Sequence, residues 1–260
     1  MAEISGGEIH QRLKKAFSQA MRSGGEIAAS VVATSLAGHE HDAPWIKENF
    51  SRLVEHIQQE VYREYLEAEH AAGGAAIRSV FSDLVDPDAS AQDVLDLISG
   101  NFFALDRFFL SLTQGRKPRA GSTFEYLIRE LFSRLDYPFT QQAIINGQPD
   151  FVLPSETHFR NNAMDSIIFT VKRTLRERWR QIISEGTRGL GFFLATIDEK
   201  IAVRDLPEML AARIYVVVPT RIKECREDYK AAANVITFEQ FFSYYLDPAM
   251  QRWRASKIIE

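Results

Sequence analysis

Short apolar runs that alternate with helical segments dominate the second half of the chain and limit the folds open to it. Ser166–Val171, Gly191–Ile197 and Arg213–Val218 have the apolar character of buried strands. The segments between them place apolar residues at helical spacing. Because strands that alternate with helices usually form parallel sheets, this half of the chain is predicted to be an α/β core.

A hairpin is predicted ahead of these strands. Phe139–Ile145 and Asp150–Leu153 lie on either side of Asn146-Gly147, a dipeptide that strongly favours a tight turn between antiparallel strands. An antiparallel hairpin joined to parallel strands gives a mixed sheet. The chain is predicted to close with three helices, at Leu206–Ala212, Arg221–Ala232 and Phe238–Leu246.

The first 110 or so residues read as helical. Ser90 and Asp93 stand at the spacing of a helix N-cap and its capping partner. We predict two regions, a helical layer over residues 1–110 that packs on the core and the core itself over 111–260. The other predicted helices are Ile9–Met21, Trp45–Ala68, Ala75–Val85, Asn101–Leu112 and one that starts at Ser122, with breaks at Ser23-Gly24-Gly25, Gly73-Gly74 and Asp86-Pro87-Asp88.

Composition excludes several classes of protein. With 45% hydrophobic residues the 260-residue chain is an ordinary globular one, and its apolar runs are too short to span a bilayer. A single cysteine, Cys225, excludes an internal disulfide and a cysteine-based zinc cluster. The N-terminus has no pattern of a secretory signal. These features predict a soluble cytoplasmic protein that has no membrane partner.

The charge distribution indicates local anion recognition. A net charge of −4 argues against a protein that coats nucleic acid through its overall charge. However, Lys172–Arg180 carries five cations and one anion, and Gly115–Arg119 is a second basic cluster. Two basic clusters on an acidic protein favour specific anion sites.

Three separate features bring catalytic residue types to one edge of the predicted sheet. Asp150 follows Pro149 at the start of a strand, and Lys172 lies at the end of the next strand, on the same face as Thr170. Glu185 lies thirteen residues further on, near the end of the following helix. Two carboxylates and a lysine can hold a divalent cation, orient a water and stabilise charge during phosphodiester hydrolysis. Each feature alone is weak, since a strand start, a strand end and a helix end are ordinary places for such residues.

This spacing resembles the PD-(D/E)xK nucleases. It is similar in particular to the branch with the EcoRII catalytic domain, PspGI and SsoII, which is related to NgoMIV and Cfr10I. Thr170 occupies the position of the acid that most of the superfamily has two residues before the lysine. In this branch a Glu on the following helix replaces that acid, and Glu185 matches it.

Two further segments resemble the same branch. Arg119–Glu125 is similar to the start of a helix whose Glu joins the active site, and Arg176-Glu177-Arg178 is similar to the branch's base-reading element. The resemblance covers roughly residues 110–200. It implies a restriction-endonuclease-like fold with a mixed central sheet flanked by helices, plus the N-terminal helical layer.

The resemblance implies a Mg²⁺-dependent Type II restriction endonuclease acting on double-stranded DNA. Asp150 and Glu185 would be metal ligands, Lys172 the charge-stabilising residue, and Glu125 a further catalytic acid. The implied site is a short palindrome that contains CC/GG, such as CCGG, CCNGG or CCWGG-like sequences. Cutting a palindrome favours a homodimer, and protection of host DNA requires a methyltransferase for the same site.

The base-reading role also has a physical basis. Arginine pairs bidentately with guanine and glutamate accepts from cytosine, so Arg176, Glu177 and Arg178 complement adjacent G·C pairs. The alternative is a solvated helix face. Phe81 is a candidate aromatic platform for an extruded base, with a core role as the alternative.

Two other functions stay open on sequence alone. One is a repair or structure-specific nuclease of the same fold, against which the Arg-Glu-Arg element argues. The other is a DNA-binding module without catalysis, in which the spacing of Asp150, Lys172 and Glu185 would be a coincidence.

Overall fold

The computed structural model describes residues 5–145, 148–175, 179–182 and 191–260; of residues 117–120, 181, 182 and 191 it describes the backbone alone. Along these ranges α-helices and strands follow one another, with a 3₁₀ turn at Ala163–Asp165 and a π-helical turn at Phe242–Leu246. The helices are α1 Gly6–Ala20, α2 Gly24–Ser35, α3 Ala43–Glu48, α4 Phe50–Ser82, α5 Ala91–Gly100, α6 Phe102–Arg134, α7 Glu156–Asn161, α8 Trp179–Ile182, α9 Asp205–Ala211, α10 Thr220–Glu224, α11 Glu227–Ala231, α12 Phe238–Phe241 and α13 Asp247–Ala255. The strands are β1 Thr140–Gln141, β2 Phe151–Leu153, β3 Ile167–Val171, β4 Gly191–Ala195, β5 Ile214–Val218 and β6 Val235–Thr237.

The six strands form one mixed sheet in the order of the sequence. Strand β2 is antiparallel to both β1 and β3, whereas β3, β4, β5 and β6 are parallel to one another. The predicted fold class, an α/β core with a mixed sheet flanked by helices, is confirmed.

The two faces of the sheet bury different side chains because alternate residues of a strand point to opposite sides. One face is aromatic: Phe151, Phe169 and Phe193 of successive strands pack with rings from the flanking helices. On that side Phe132 of α6 lies 5.1 Å from the Phe169 ring. The other face is mostly aliphatic, with Val152, Ile168, Leu194, Val216 and Val218 in one buried cluster. Both faces are therefore covered, as expected for strands that read as continuous apolar runs.

Contacts divide the described chain into two compact units. The first consists of residues 5–30 with 60–120, and the second of residues 31–59 with 121–260. The first unit has its own buried cluster, and the sheet belongs entirely to the second. The predicted domain boundary between residues 110 and 111 stays a prediction.

Most predicted elements are present, but one predicted strand is shorter than expected and one observed strand was not predicted. The predicted strand Phe139–Ile145 is reduced to the two residues of β1, while Asn146-Gly147 lies outside the described residues. Strand β6 was not predicted, because three residues between two helical segments give too short a pattern for period-two alternation. The predicted capping box at Ser90 and Asp93 is confirmed.

One predicted helix break is wrong, and two helices that were predicted as separate, Asn101–Leu112 and the one from Ser122, are a single helix. Gly73-Gly74 lies inside α4, and α6 runs without interruption through the basic cluster Gly115–Arg119 and through Gly121. A glycine costs a helix only about 1 kcal/mol relative to alanine, so the helix continues where tertiary contacts on either side favour it. Pro118 lacks the backbone donor for the residue 114 carbonyl, but one missing hydrogen bond does not end a 33-residue helix. No helix among the described residues has both the length and the apolar character for a membrane span.

Candidate active site

Asp150 is a buried carboxylate at the edge where β2 and β3 meet. Its side chain accepts two hydrogen bonds at Oδ2, from the Val171 backbone N–H at 2.7 Å and from Lys172 Nζ at 3.2 Å. Among the described residues, none donates to Oδ1. The residue is 7% exposed. A buried carboxylate that keeps one unoccupied oxygen is a candidate ligand for a cation or for a polar substrate.

Strand register explains why these residues converge. Phe151 pairs with Phe169, so Asp150, one residue earlier, stands opposite Thr170 at the next rung of this antiparallel pair. Thr170 and Lys172, the residue just after β3, are two positions apart and therefore lie on the same side of the sheet, as the sequence predicts. The Gln142 N–H donates to the Asp150 carbonyl at 3.0 Å and continues the β1–β2 ladder up to this point. The prediction that β2 and β3 bring Asp150 to Lys172 is confirmed by the Asp150–Lys172 ion pair.

Opposing influences act on the pKa of Asp150. Burial raises the pKa of Asp150 above its ordinary value, while the Lys172 ammonium and the Val171 N–H act in the opposite direction and the Glu125 carboxylate raises it further. The net shift is upward. The Lys172 ammonium and the Val171 N–H therefore offset only part of the pKa increase that burial and the Glu125 carboxylate cause.

Glu125 enters the site from α6. It lies one position after Phe124 and two before Leu127, both fully buried, so the apolar face of α6 fixes the side on which Glu125 emerges. Gln141 and Gln142 both donate side-chain hydrogen bonds to its Oε1, at 3.0 and 3.3 Å. Gln142 also donates its backbone N–H to the Asp150 carbonyl, so the two acidic residues belong to one site.

The backbone beyond β3 is held by the end of β4. The Lys172 N–H donates to the Ala195 carbonyl at 2.9 Å, and Thr196 Oγ1 donates to the Arg173 carbonyl at 3.3 Å. Further along, the Leu175 N–H donates to Asp198 Oδ2 at 2.8 Å. Hydrogen bonds therefore hold the backbone in place on both sides of the Lys172 side chain.

The remaining predicted site residues have different outcomes. Glu185 and the element Arg176-Glu177-Arg178 lie outside the described residues. Phe81 is 6% exposed in the buried cluster of the first unit, a position expected of its core role, and its stacking role stays a prediction. The sequence analysis missed Gln141 and Gln142, because two glutamines at a strand end carry no recognisable pattern.

The donor set suits a hard divalent cation. Asp150 and Glu125 each present a carboxylate oxygen that accepts no hydrogen bond from the described residues, and Thr170 Oγ1, 1% exposed, is also without a hydrogen-bond partner there. Mg²⁺ prefers such oxygen ligands and usually takes one or two carboxylates from a protein. A group of three acidic, histidine or cysteine side chains fit for a metal does not occur within the described part of the chain. The two described carboxylates fit a magnesium ion whose further ligands come from elsewhere.

Comparison with protein families gives one match over most of the sheet-bearing region. The family described as EcoRII C terminal matches residues 89–242, which includes Asp150, Lys172, Glu125 and every strand. The match covers more than half of the chain.

Two curated proteins resemble the chain over about half of its length. The Type II restriction enzyme SsoII of Shigella sonnei is 31% identical over 142 residues, which are 50% of this chain and 46% of that protein. The Type II restriction enzyme EcoRII of Escherichia coli is 31% identical over 138 residues, 50% of this chain and 34% of EcoRII. The chain thus spans about half and a third of these relatives' lengths.

Solved structures share the fold. Metal-depleted Ecl18kI in complex with uncleaved, modified DNA has a TM-score of 0.78 at 24% identity. The match covers 99% of this chain and 88% of the Ecl18kI chain. A complex of the restriction endonuclease PspGI with substrate DNA has a TM-score of 0.59 at 19% identity, over 90% and 94% of the two chains. These likenesses extend through the N-terminal helices as well as the sheet.

Proposed function

Because the chain belongs to the EcoRII C-terminal family, we propose that it is a Type II restriction endonuclease. It hydrolyses both strands of double-stranded DNA at a short palindrome that contains CC/GG, of the CCGG, CCNGG or CCWGG-like kind. The observation that carries this proposal is the ion pair of Asp150 and Lys172 at the β2–β3 edge, with Glu125 beside it. SsoII and EcoRII are Type II restriction enzymes. The family match over residues 89–242 contains these three residues.

Asp150 and Glu185 would hold Mg²⁺, with Glu125 as a supporting acid. When bound, the ion supplies positive charge to a phosphate oxygen and acidifies a water molecule. The Glu125 carboxylate supports this assignment, because it adds negative charge near Asp150 and so favours the binding of a divalent cation. Asp150 Oδ2 is already engaged by Val171 and Lys172, so Oδ1 is the atom left for the ion.

Lys172 would stabilise the charge that develops on the phosphate during hydrolysis. Its side chain is 37% exposed, so Nζ keeps access to a substrate while it donates to Asp150. The hydrogen bond from its own backbone to Ala195 keeps the start of the side chain in place. A fixed donor of this kind acts on the transition state without having to reorganise during the reaction.

Arg176, Glu177 and Arg178 would read the G·C pairs of the site. Support comes from the residues that flank this element in the sequence, since Leu175 and Trp179 are both buried in the aliphatic cluster. Arg178→Ala should weaken binding to the cognate duplex about tenfold or more, because a bidentate Arg–guanine contact contributes about 1–3 kcal/mol. Arg178→Lys should not restore binding, since an ammonium lacks the planar fork.

Titration of two duplexes at one salt concentration tests this recognition role. The Arg178→Ala variant should lose much more affinity for the cognate duplex than for a scrambled one. Equal losses on both would mean that the arginine contacts phosphates alone, and the proposed CC/GG readout would be withdrawn.

A homodimer would match the two-fold symmetry of a palindrome. Large apolar side chains on one face of α6 support contact with a second copy, because Phe102, Phe103, Phe109 and Leu110 are each at least half exposed. The molar mass from light scattering should be twice that of the 29.6 kDa chain, and Phe102→Asp should shift it towards the monomer. A methyltransferase acting on the same site would be the functional partner in the cell.

Digestion of a plasmid in Mg²⁺ tests the proposed activity. Discrete fragments with identical ends are expected. A smear, or cutting confined to branched substrates, would favour a repair or structure-specific nuclease. Binding without any cutting would favour a DNA-binding module that lacks catalysis.

A further inference from the structure

Glu125 is held in an unusual way by two consecutive glutamines. Gln141 Nε2 and Gln142 Nε2 donate to the same carboxylate oxygen, Oε1, at 3.0 and 3.3 Å. Among the described residues, no side chain or backbone group donates to the other oxygen, Oε2. Oε1 thus accepts two hydrogen bonds, whereas Oε2 accepts none from the described residues.

Neighbouring side chains of a regular strand cannot both reach one atom in this way, because they point to opposite faces of the sheet. The chain departs from the strand at Gln142, whose φ of 50° lies in the left-handed region. β1 accordingly ends at Gln141, yet the Gln142 N–H still pairs with the Asp150 carbonyl. The left-handed residue therefore turns the Gln142 side chain towards Glu125 without disturbing the backbone beside Asp150.

Glutamine is a costly choice for this backbone position. Side chains with a Cβ are sterically disfavoured in the left-handed region, where glycine and asparagine are usual. The Gln142 side chain is also exposed, so burial of its own surface does not explain its presence. Strained backbone that survives next to a functional carboxylate is often part of how that site works.

The chemistry of the amide explains why glutamine rather than a cation holds Glu125. A lysine or arginine would orient the carboxylate but would also cancel its charge. An amide N–H orients the group and leaves its negative charge in place for a cation.

We propose that Gln141 and Gln142 are positioning residues, which fix Oε1 of Glu125 so that Oε2 is presented to a divalent cation bound at Asp150. This inference rests on the proposed function, because that function identifies the cation site. It nevertheless predicts a metal affinity that can be measured whether or not DNA is cleaved. Partners that orient a metal ligand typically change metal affinity 10–100-fold when they are removed.

Binding of Mn²⁺ alone to the full chain tests the proposal. Mn²⁺ takes the same oxygen ligands as Mg²⁺, and its unbound fraction can be followed by electron paramagnetic resonance. The double variant Gln141→Ala/Gln142→Gly should raise the dissociation constant about tenfold or more. Gln251→Ala, which removes an exposed glutamine on α13, is the matched control and should bind as the wild type does.

Two single variants at position 142 separate the side chain from the backbone. Glycine adopts the left-handed region freely, whereas alanine keeps the strain, and both remove the amide. Equal losses of Mn²⁺ affinity in Gln142→Gly and Gln142→Ala are expected. Wild-type affinity in Gln142→Gly with a loss in Gln142→Ala alone would show that only the backbone matters, and would overturn the proposal.

The other outcomes are equally decisive. Wild-type Mn²⁺ affinity in the double variant, or no Mn²⁺ binding by the wild type, overturns the positioning role. If the wild type binds Mn²⁺ and the double variant binds it more weakly, the inference holds even when no DNA is cut. That last result would remove the proposed nuclease function alone.

Discussion

Glu69 in the first unit and Asp150 in the second are both buried carboxylates with a cationic partner, yet their surroundings differ. Glu69 is 1% exposed, and both of its oxygens are occupied. Arg116 donates from two nitrogens to Oε1, and the Tyr65 hydroxyl donates to Oε2 at 3.0 Å. Asp150 is almost as buried, but both of its donors share Oδ2 and its Oδ1 has none among the described residues.

This difference separates a structural carboxylate from a functional one. A buried charge is tolerated when hydrogen bonds and an opposite charge satisfy it, as they do at Glu69. Where an oxygen of a buried carboxylate lacks a hydrogen-bond donor, the protein is less stable, but a ligand can bind to that oxygen. We therefore expect the same chemical change to have opposite effects at the two residues.

The largest expected effect is on cleavage, through the partner of Asp150. Lys172→Met keeps most of the side-chain volume and removes the charge. It should slow Mg²⁺-dependent cleavage by about 10³-fold, because one preorganised charged donor contributes that much to a transition state. Single-turnover rates on a cognate fragment measure it, with Lys257→Met as a control on an exposed lysine. A rate close to that of the wild type would remove Lys172 from the site.

The partner of Glu69 should show its effect in stability. Arg116→Ala leaves a buried carboxylate whose remaining donor among the described residues is the Tyr65 hydroxyl. The free energy of unfolding should fall by about 2–3 kcal/mol, less than for a fully buried pair because the Arg116 side chain is 35% exposed. Denaturant titration measures this, and Arg12→Ala, which removes an exposed pair with Glu8, should change little. Equal stabilities of the two variants would mean that Glu69 is not structurally dependent on Arg116.

The smallest expected effect is a gain of stability at Asp150. Its pKa is raised by burial, so the folded protein binds this proton more tightly than the unfolded chain does. Stability from this group is therefore lost as the pH rises from the ordinary carboxyl pKa through the raised one, and at neutral pH the ionised form is a net cost. Asp150→Asn should stabilise the metal-free protein in EDTA at pH 7, by an amount of about 0.5–2 kcal/mol.

The gain from Asp150→Asn should shrink as the pH is lowered, because the wild-type carboxyl then becomes neutral as well. Thermal unfolding across a series of pH values follows it. A loss of stability in Asp150→Asn at pH 7 would mean that the Asp150 carboxylate is as well satisfied as that of Glu69, and the contrast between them would fail.

Strong local patterns explain how much of the fold was predictable. The apolar runs of β3, β4 and β5 and the capping box at Ser90 depend on neighbours in sequence, and the structure confirms them. The short strand β6 and the unbroken course of α4 and α6 depend on tertiary contacts. The presence of a glycine or a proline in the sequence does not show whether tertiary contacts keep the helix continuous at that residue.

The candidate site was predictable only in part, for a similar reason. Strand alternation and the family resemblance indicate Asp150, Lys172 and Glu125. Whether a carboxylate oxygen is left open, however, depends on the register of β2 with β3 and on the left-handed backbone at Gln142. Neither follows from residue types alone. The glutamines that hold Glu125 therefore became visible only in three dimensions.

One pair of substitutions tests the central claim most directly, because each changes a buried carboxylate to its amide and nothing else. The single-turnover rate of Mg²⁺-dependent cleavage should be measured for Asp150→Asn and Glu69→Gln, both under conditions where they are folded. We expect Asp150→Asn to be slower than the wild type by about 10³-fold or more, and Glu69→Gln to cut at nearly the wild-type rate. Cleavage by Asp150→Asn at the rate of Glu69→Gln would contradict the assignment of Asp150 as the centre of the active site.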